Sequence, residues 1–203
     1  MAKSPLTLSN SILYEKPTFD DNFYKESFKD GYQVNGNEAR LGKGRLDYLI
    51  DEYGVWEPDS DYSQAYLGYI DPREFIKATI TGNDSITKRE LDNPDDLDIQ
   101  RINNERQTPF LQVNFDDNSI VGHEGRHRLS SFAKAGVTKL PIVFRDMSPT
   151  FRRYNTQGKQ YNGILKGQDF GFGRGQDINL VSDLIPINYK NANVLREKFG
   201  YNK

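Results

Sequence analysis

The chain has 203 residues, 35% of them hydrophobic, with 12 Tyr and 12 Phe, enough for one sizeable core. Its 29 acidic and 27 basic side chains leave a formal charge of −2, so any attraction to nucleic acid or a membrane surface has to be local. The lack of cysteine excludes disulfides, thiolate metal sites and cysteine nucleophiles. No run approaches the ~20 apolar residues of a membrane span, and the start has no signal-peptide core, so a soluble, cytoplasmic protein is expected.

Residues 1 to about 40 are polar and aromatic with few aliphatics, and read as an extended arm. Leu46, Leu49, Ile50 and Tyr53 follow the i, i+3, i+4, i+7 spacing of an amphipathic helix that stops at Gly54. Residues 65–70 read as a strand, and Asp71-Pro72 after it is a helix start with aspartate as cap and proline as first residue. Asn93-Pro94-Asp95-Asp96 repeats that design. Residues 84–98 hold six acidic and two basic side chains, as a solvated loop and helix face would.

Residues 110–115 alternate Leu111, Val113 and Phe115 with Gln112 and Asn114, a strand with one buried face. Asp116-Asp117-Asn118 makes a turn, and residues 119–121 resume the sheet. A helix follows with Leu129, Phe132 and Ala133 on one face, and Gly136 ends it. Residues 140–144 are a further strand, entered through Pro141. From 145 to 174 the balance turns basic, six against two, with five aromatic residues, and six glycines fall between 158 and 175. A loop bearing Arg152, Arg153 and Lys159 suits a lid over a phosphate compound or a surface for stacking bases. An ordinary glycine-turned surface loop accounts for the same residues. Residues 191–199 read as a short closing helix.

Chemistry concentrates in Gly122-His123-Glu124-Gly125-Arg126-His127-Arg128, which holds both histidines of the chain. The order is strand, glycine turn, helix. Backbone N–H groups at such a helix start, with the positive end of the helix dipole, make an anion site, and the arginines add formal charge. His123-Glu124-Gly125-Arg126-His127 also fits H-E-x-x-H, in which two histidines one helical turn apart hold zinc and the glutamate activates water. That pattern needs a helix throughout, whereas Gly122 and Gly125 favour a turn, and no third histidine exists.

Glu124-Gly125-Arg126-His127-Arg128 resembles the acidic-Gly-x-His/Arg-Arg signature of the ParB/sulfiredoxin-like superfamily. The flanks match in order: the strand and proline turn Tyr69-Ile70-Asp71-Pro72, the proline-led strand Thr108-Pro109-Phe110-Leu111-Gln112-Val113, then Ala135-Gly136 and Leu140-Pro141-Ile142-Val143. The resemblance covers roughly residues 65–146 and implies an α/β domain with a mixed sheet. It divides the chain into an N-terminal arm and helix (1–60), a core (61–150) and a basic, aromatic, glycine-rich extension (151–203).

What the resemblance implies for function is a nucleotide-phosphate site, with ATP, ADP or CTP and Mg²⁺ as the ligands. Gly125 supplies the turn, Arg126, His127 and Arg128 the phosphate contacts, and Glu124 the acidic position, with Glu124 and His127 as the catalytic pair. His123 precedes the signature and reads as structural or supporting. Arg126 stands where sulfiredoxins carry their reactive cysteine, so sulfinic acid reduction is excluded. The glycine-rich residues after the core show no helix pair to serve as a DNA reader. The implied activity is phosphoryl transfer or nucleotide hydrolysis. The alternatives are a non-catalytic phage protein occupying a host nucleotide, nucleic acid or defence protein, a ParB-like nuclease, and last the zinc hydrolase.

Overall fold

The computed structural model describes residues 31–54, 64–79, 84–94, 107–148, 163–169, 171, 173–180 and 183–200. Arg152, Arg153, Lys159 and the first 30 residues of the expected arm lie outside them.

The protein is a mixed α/β domain. A hairpin of β1 (Tyr32–Asn35) and β2 (Glu38–Leu41) leads into α1 (Lys43–Gly54). Then come β3 (Ala65–Ile70), α2 (Pro72–Ala78), α3 (Asp84–Asp92), β4 (Phe110–Asn114), β5 (Ser119–Glu124), α4 (Arg126–Lys134) and β6 (Leu140–Asp146). Short strands β7 (Ile164–Leu165), β8 (Ile178–Asn179) and β9 (Ile185–Pro186) precede the closing helix α5 (Ala192–Phe199). The main sheet has the order β5-β4-β6-β3-β9. Only β4 and β6 run parallel, and the other neighbours are antiparallel.

Strand alternation decides what each face can carry. Leu67, Val143, Phe110 and Glu124 are register partners in turn across β3, β6, β4 and β5, so they share one face. Tyr69, on that face, donates to the Lys198 carbonyl at the end of α5 and packs against Phe199. The opposite face carries Leu111 and His123, and His123 meets Phe75 of α2. Every residue of β3 is buried, as a central strand covered on both faces requires. Pro141 is tolerated inside β6 because the N–H it lacks would point past the start of β4: two residues on, Val143 N–H donates to the Pro109 carbonyl.

Two sequence expectations need correction. Residues 32–41 are no extended arm but a hairpin in the core, with Ala39 and Leu41 fully buried and Tyr32 Oη donating to the Pro141 carbonyl at 2.8 Å. Its two-residue loop, Gly36-Asn37, has glycine first at φ +60°, the position that suits a hairpin turn. A helix, α3, runs Asp84–Asp92 just ahead of Asn93-Pro94, and the residues that a helix starting there would occupy lie outside the described ones. β5 continues through Glu124, past the expected end at Val121, because pairing with β4 persists across a bulge between Gln112 and Val113.

Two glycines of the glycine-rich stretch are closely packed. A Cβ on Gly167 would sit 2.1 Å from the Gly175 carbonyl oxygen, and one on Gly175 would sit 2.0 Å from that of Ala78. Close backbone approach, not looseness, explains these two residues. Among the described residues no helix is long and apolar enough to cross a membrane.

Candidate functional site at the start of α4

β5 hands over to α4 through Gly125, at φ 104° and ψ 17°. Only glycine adopts this backbone at no cost, and the turn is tight from outside too: a Cβ here would lie 2.8 Å from Pro109 Cβ. Gly125 offers no side-chain cap, and the first helical bond is Leu129 N–H to the Gly125 carbonyl at 3.0 Å. Donors of the turn ahead of Leu129 therefore point out of the helix end, where the dipole favours negative charge.

Glu124 and Arg128 flank this end. Arg128 Nη2 donates to Glu124 Oε1 at 3.2 Å and its Nη1 to the Gln107 carbonyl, which leaves the arginine side chain 11% exposed and the glutamate 51%. The i, i+4 spacing and the two acceptors hold the guanidinium beside the turn. The His127 side chain is 61% exposed on the neighbouring flank, its Nδ1 3.8 Å from Glu90 Oε1, beyond hydrogen-bond reach.

Arg126 goes elsewhere. It is buried between α4, α2 and α3, with Nε donating to Glu90 Oε2 at 2.8 Å, Nη1 to the Ile76 carbonyl and Thr79 Oγ1, and Nη2 to Thr87 Oγ1 while ion-paired with Glu90 Oε2. Four hydrogen bonds and the ion pair with Glu90 engage this buried side chain, which is committed away from a phosphate. It anchors the helix start. Glu90, taken with the solvated acidic stretch, is the residue sequence reasoning missed. The available signal was Thr87 and Glu90 three residues apart on one helix face.

His123 points to the opposite sheet face from Glu124. Its Nδ1 meets Gln168 Oε1 at 2.7 Å, its ring stands edge-on to Phe75, and burial pushes its pKa below the ordinary value. The two histidines thus sit on different elements with a left-handed glycine between them. The helical geometry that H-E-x-x-H needs is absent, and no group of three candidate metal ligands occurs among the described residues.

The structure also brings Arg145 and Arg45 near, neither of which the motif suggests. Arg145 stacks on Phe110, the residue opposite Glu124, with its guanidinium carbon 3.7 Å from the ring centroid, and Nε donates to Tyr53 Oη at 3.0 Å. Arg45 is buried, and burial with the nearby charge of Arg128 lowers its pKa. Burial pushes the Glu52 carboxyl up, opposed by Arg145 and Arg45.

The chain as a whole gave no match to a family model, a curated protein or a solved structure.

Proposed function

We propose that the protein binds nucleotides through their phosphates at the start of α4 and acts on them by phosphoryl transfer or hydrolysis. The observation that carries this reading is the uncapped, left-handed turn at Gly125 with Arg128 fixed beside it. Such a turn offers backbone donors, a favourable dipole and a formal charge to one anion. Glu124, at the mouth of the turn, is the acidic group available to orient water or an acceptor hydroxyl, and exposed His127 is the second candidate for proton transfer. A Mg²⁺ ion here would take most of its ligands from phosphate and water, as this ion commonly does, with Glu124 the nearest carboxylate at the turn. The likeness of Glu124-Gly125-Arg126-His127-Arg128 to the ParB/sulfiredoxin-like signature supports the same conclusion, apart from Arg126, whose donors are already committed.

A non-catalytic phosphate binder is the second reading. It is favoured by the Glu124–Arg128 contact, which partly commits the carboxylate read here as the base.

A thermal-shift panel of ATP, ADP and CTP with Mg²⁺ tests the site. Ligand at a hundred times its dissociation constant stabilises the native state by about 2.7 kcal/mol, a rise in Tm of about 5–10 °C for a chain of this size. A flat response to all three nucleotides would refute the proposal.

A further inference from the structure

Arg145 is held as an anion contact would be, with the Glu52 carboxyl within its electrostatic reach but no carboxylate hydrogen-bonded to it among the described residues. Its side chain is held twice: the guanidinium lies on the Phe110 ring and 5.9 Å from the Tyr53 centroid, and Nε donates to Tyr53 Oη. Among the described residues neither Nη1 nor Nη2 has an acceptor. Fixing an arginine costs rotamer freedom. Here stacking and the tyrosine bond have already imposed that cost, and the two terminal nitrogens remain as a fork suited to a phosphate or carboxylate.

Its position relates it to the α4 turn. Arg145 on β6 is the register partner of Gln112 on β4, two residues along from Phe110, which opposes Glu124 on β5. Arg145 and Glu124 are therefore two strands apart and two residues out of register on one sheet face, roughly 12 Å between backbones. Arg128 donates to Glu124. Charge favours an anion between them: Arg45, Arg128 and Arg145 stand against two carboxylates, Glu52 and Glu124.

We propose that Arg145 is a second anion contact for the same ligand, so that the site selects a chain of two or three phosphates over a single phosphate. One end of the chain sits on the α4 turn and Arg128, and the other meets the Arg145 fork. The inference rests on the phosphate reading of α4 and adds the ligand class to it.

Calorimetric titration of the full chain with inorganic phosphate, pyrophosphate and tripolyphosphate tests it. Wild type should bind the two longer anions about 10- to 100-fold more tightly than phosphate, the gain expected of charge-assisted bonds. Arg145→Gln should erase that preference while leaving phosphate affinity unchanged. Arg145→Lys, which keeps the charge and loses the fork, should retain only part of it and serves if the first variant folds poorly. If either folded variant keeps the full wild-type preference while phosphate still binds, the Arg145 proposal is overturned and the α4 site stands. If no phosphate species binds wild type, both fall.

Discussion

Arg126 Nε and Glu90 Oε2 meet at 2.8 Å with the two side chains only 5% and 4% exposed. This pair joins the first residue of α4 to α3, while the Nη1 bonds to the Ile76 carbonyl and Thr79 tie the same guanidinium to the end of α2. The consequence for function is rigidity. The turn proposed to present donors to an anion is fixed from behind by a residue whose own donors are committed elsewhere.

Glu90→Ala should therefore destabilise the protein by about 3–5 kcal/mol, because it strands a buried guanidinium. Urea denaturation monitored by circular dichroism measures this. Glu90→Gln, which keeps an acceptor, should cost less. A loss under about 1 kcal/mol for the alanine variant, near the value of an exposed pair, would show that the two groups are not buried together.

Gly125→Ala should cost about 1–2 kcal/mol for the left-handed backbone alone, and more for the contact with Pro109. Because the turn is also the proposed anion cradle, nucleotide affinity should drop further than stability does. Unchanged stability and affinity would mean that the turn is not tight.

His123 gives a pH prediction. Burial holds its folded pKa below the ordinary 6.5, so the unfolded chain binds this proton more readily than the folded one. Stability from this group is then complete above about pH 6.5 and falls as pH drops through that value towards the folded pKa. Thermal melts between pH 7.5 and 5 should show this acid-side loss, and His123→Asn, which keeps a donor for Gln168, should lessen it. An identical pH profile for the two proteins would assign the loss to other groups.

Much of the fold was legible because its signals are local. The periodic Leu46, Leu49, Ile50 and Tyr53 gave α1, the Asp71-Pro72 cap gave α2, with Asp71 Oδ1 accepting from Arg73 N–H at 2.8 Å, and alternation over Leu111 and Val113 gave β4. The hairpin was missed because Gly36-Asn37 lies among polar residues, and burial of Ala39 and Leu41 is decided by partners far along the chain. At the site, the glycine turn and its flanking Glu124 and Arg128 were readable from the motif. The opposite fates of Arg126 and Arg128 were not. They are two residues apart on a helix and so face different ways, and which one meets Glu90 depends on an element 36 residues earlier.

Glu124→Gln separates an enzyme from a binder. It removes a negative charge near the phosphates, so nucleotide should bind as well as or better than to wild type. Turnover should fall by ~100-fold or more if the carboxylate acts as general base. Phosphate release assays on both proteins decide the matter. Undiminished release by the variant would remove Glu124 from catalysis.

The most direct measurement of the central claim is calorimetric titration of a nucleoside triphosphate into wild type and Arg128→Ala, with circular dichroism confirming that both are folded. The account predicts saturable binding to wild type and loss of at least about 10-fold in the variant, the value of a charge-assisted bond to phosphate. Equal binding by the two proteins, or none by wild type, would contradict it.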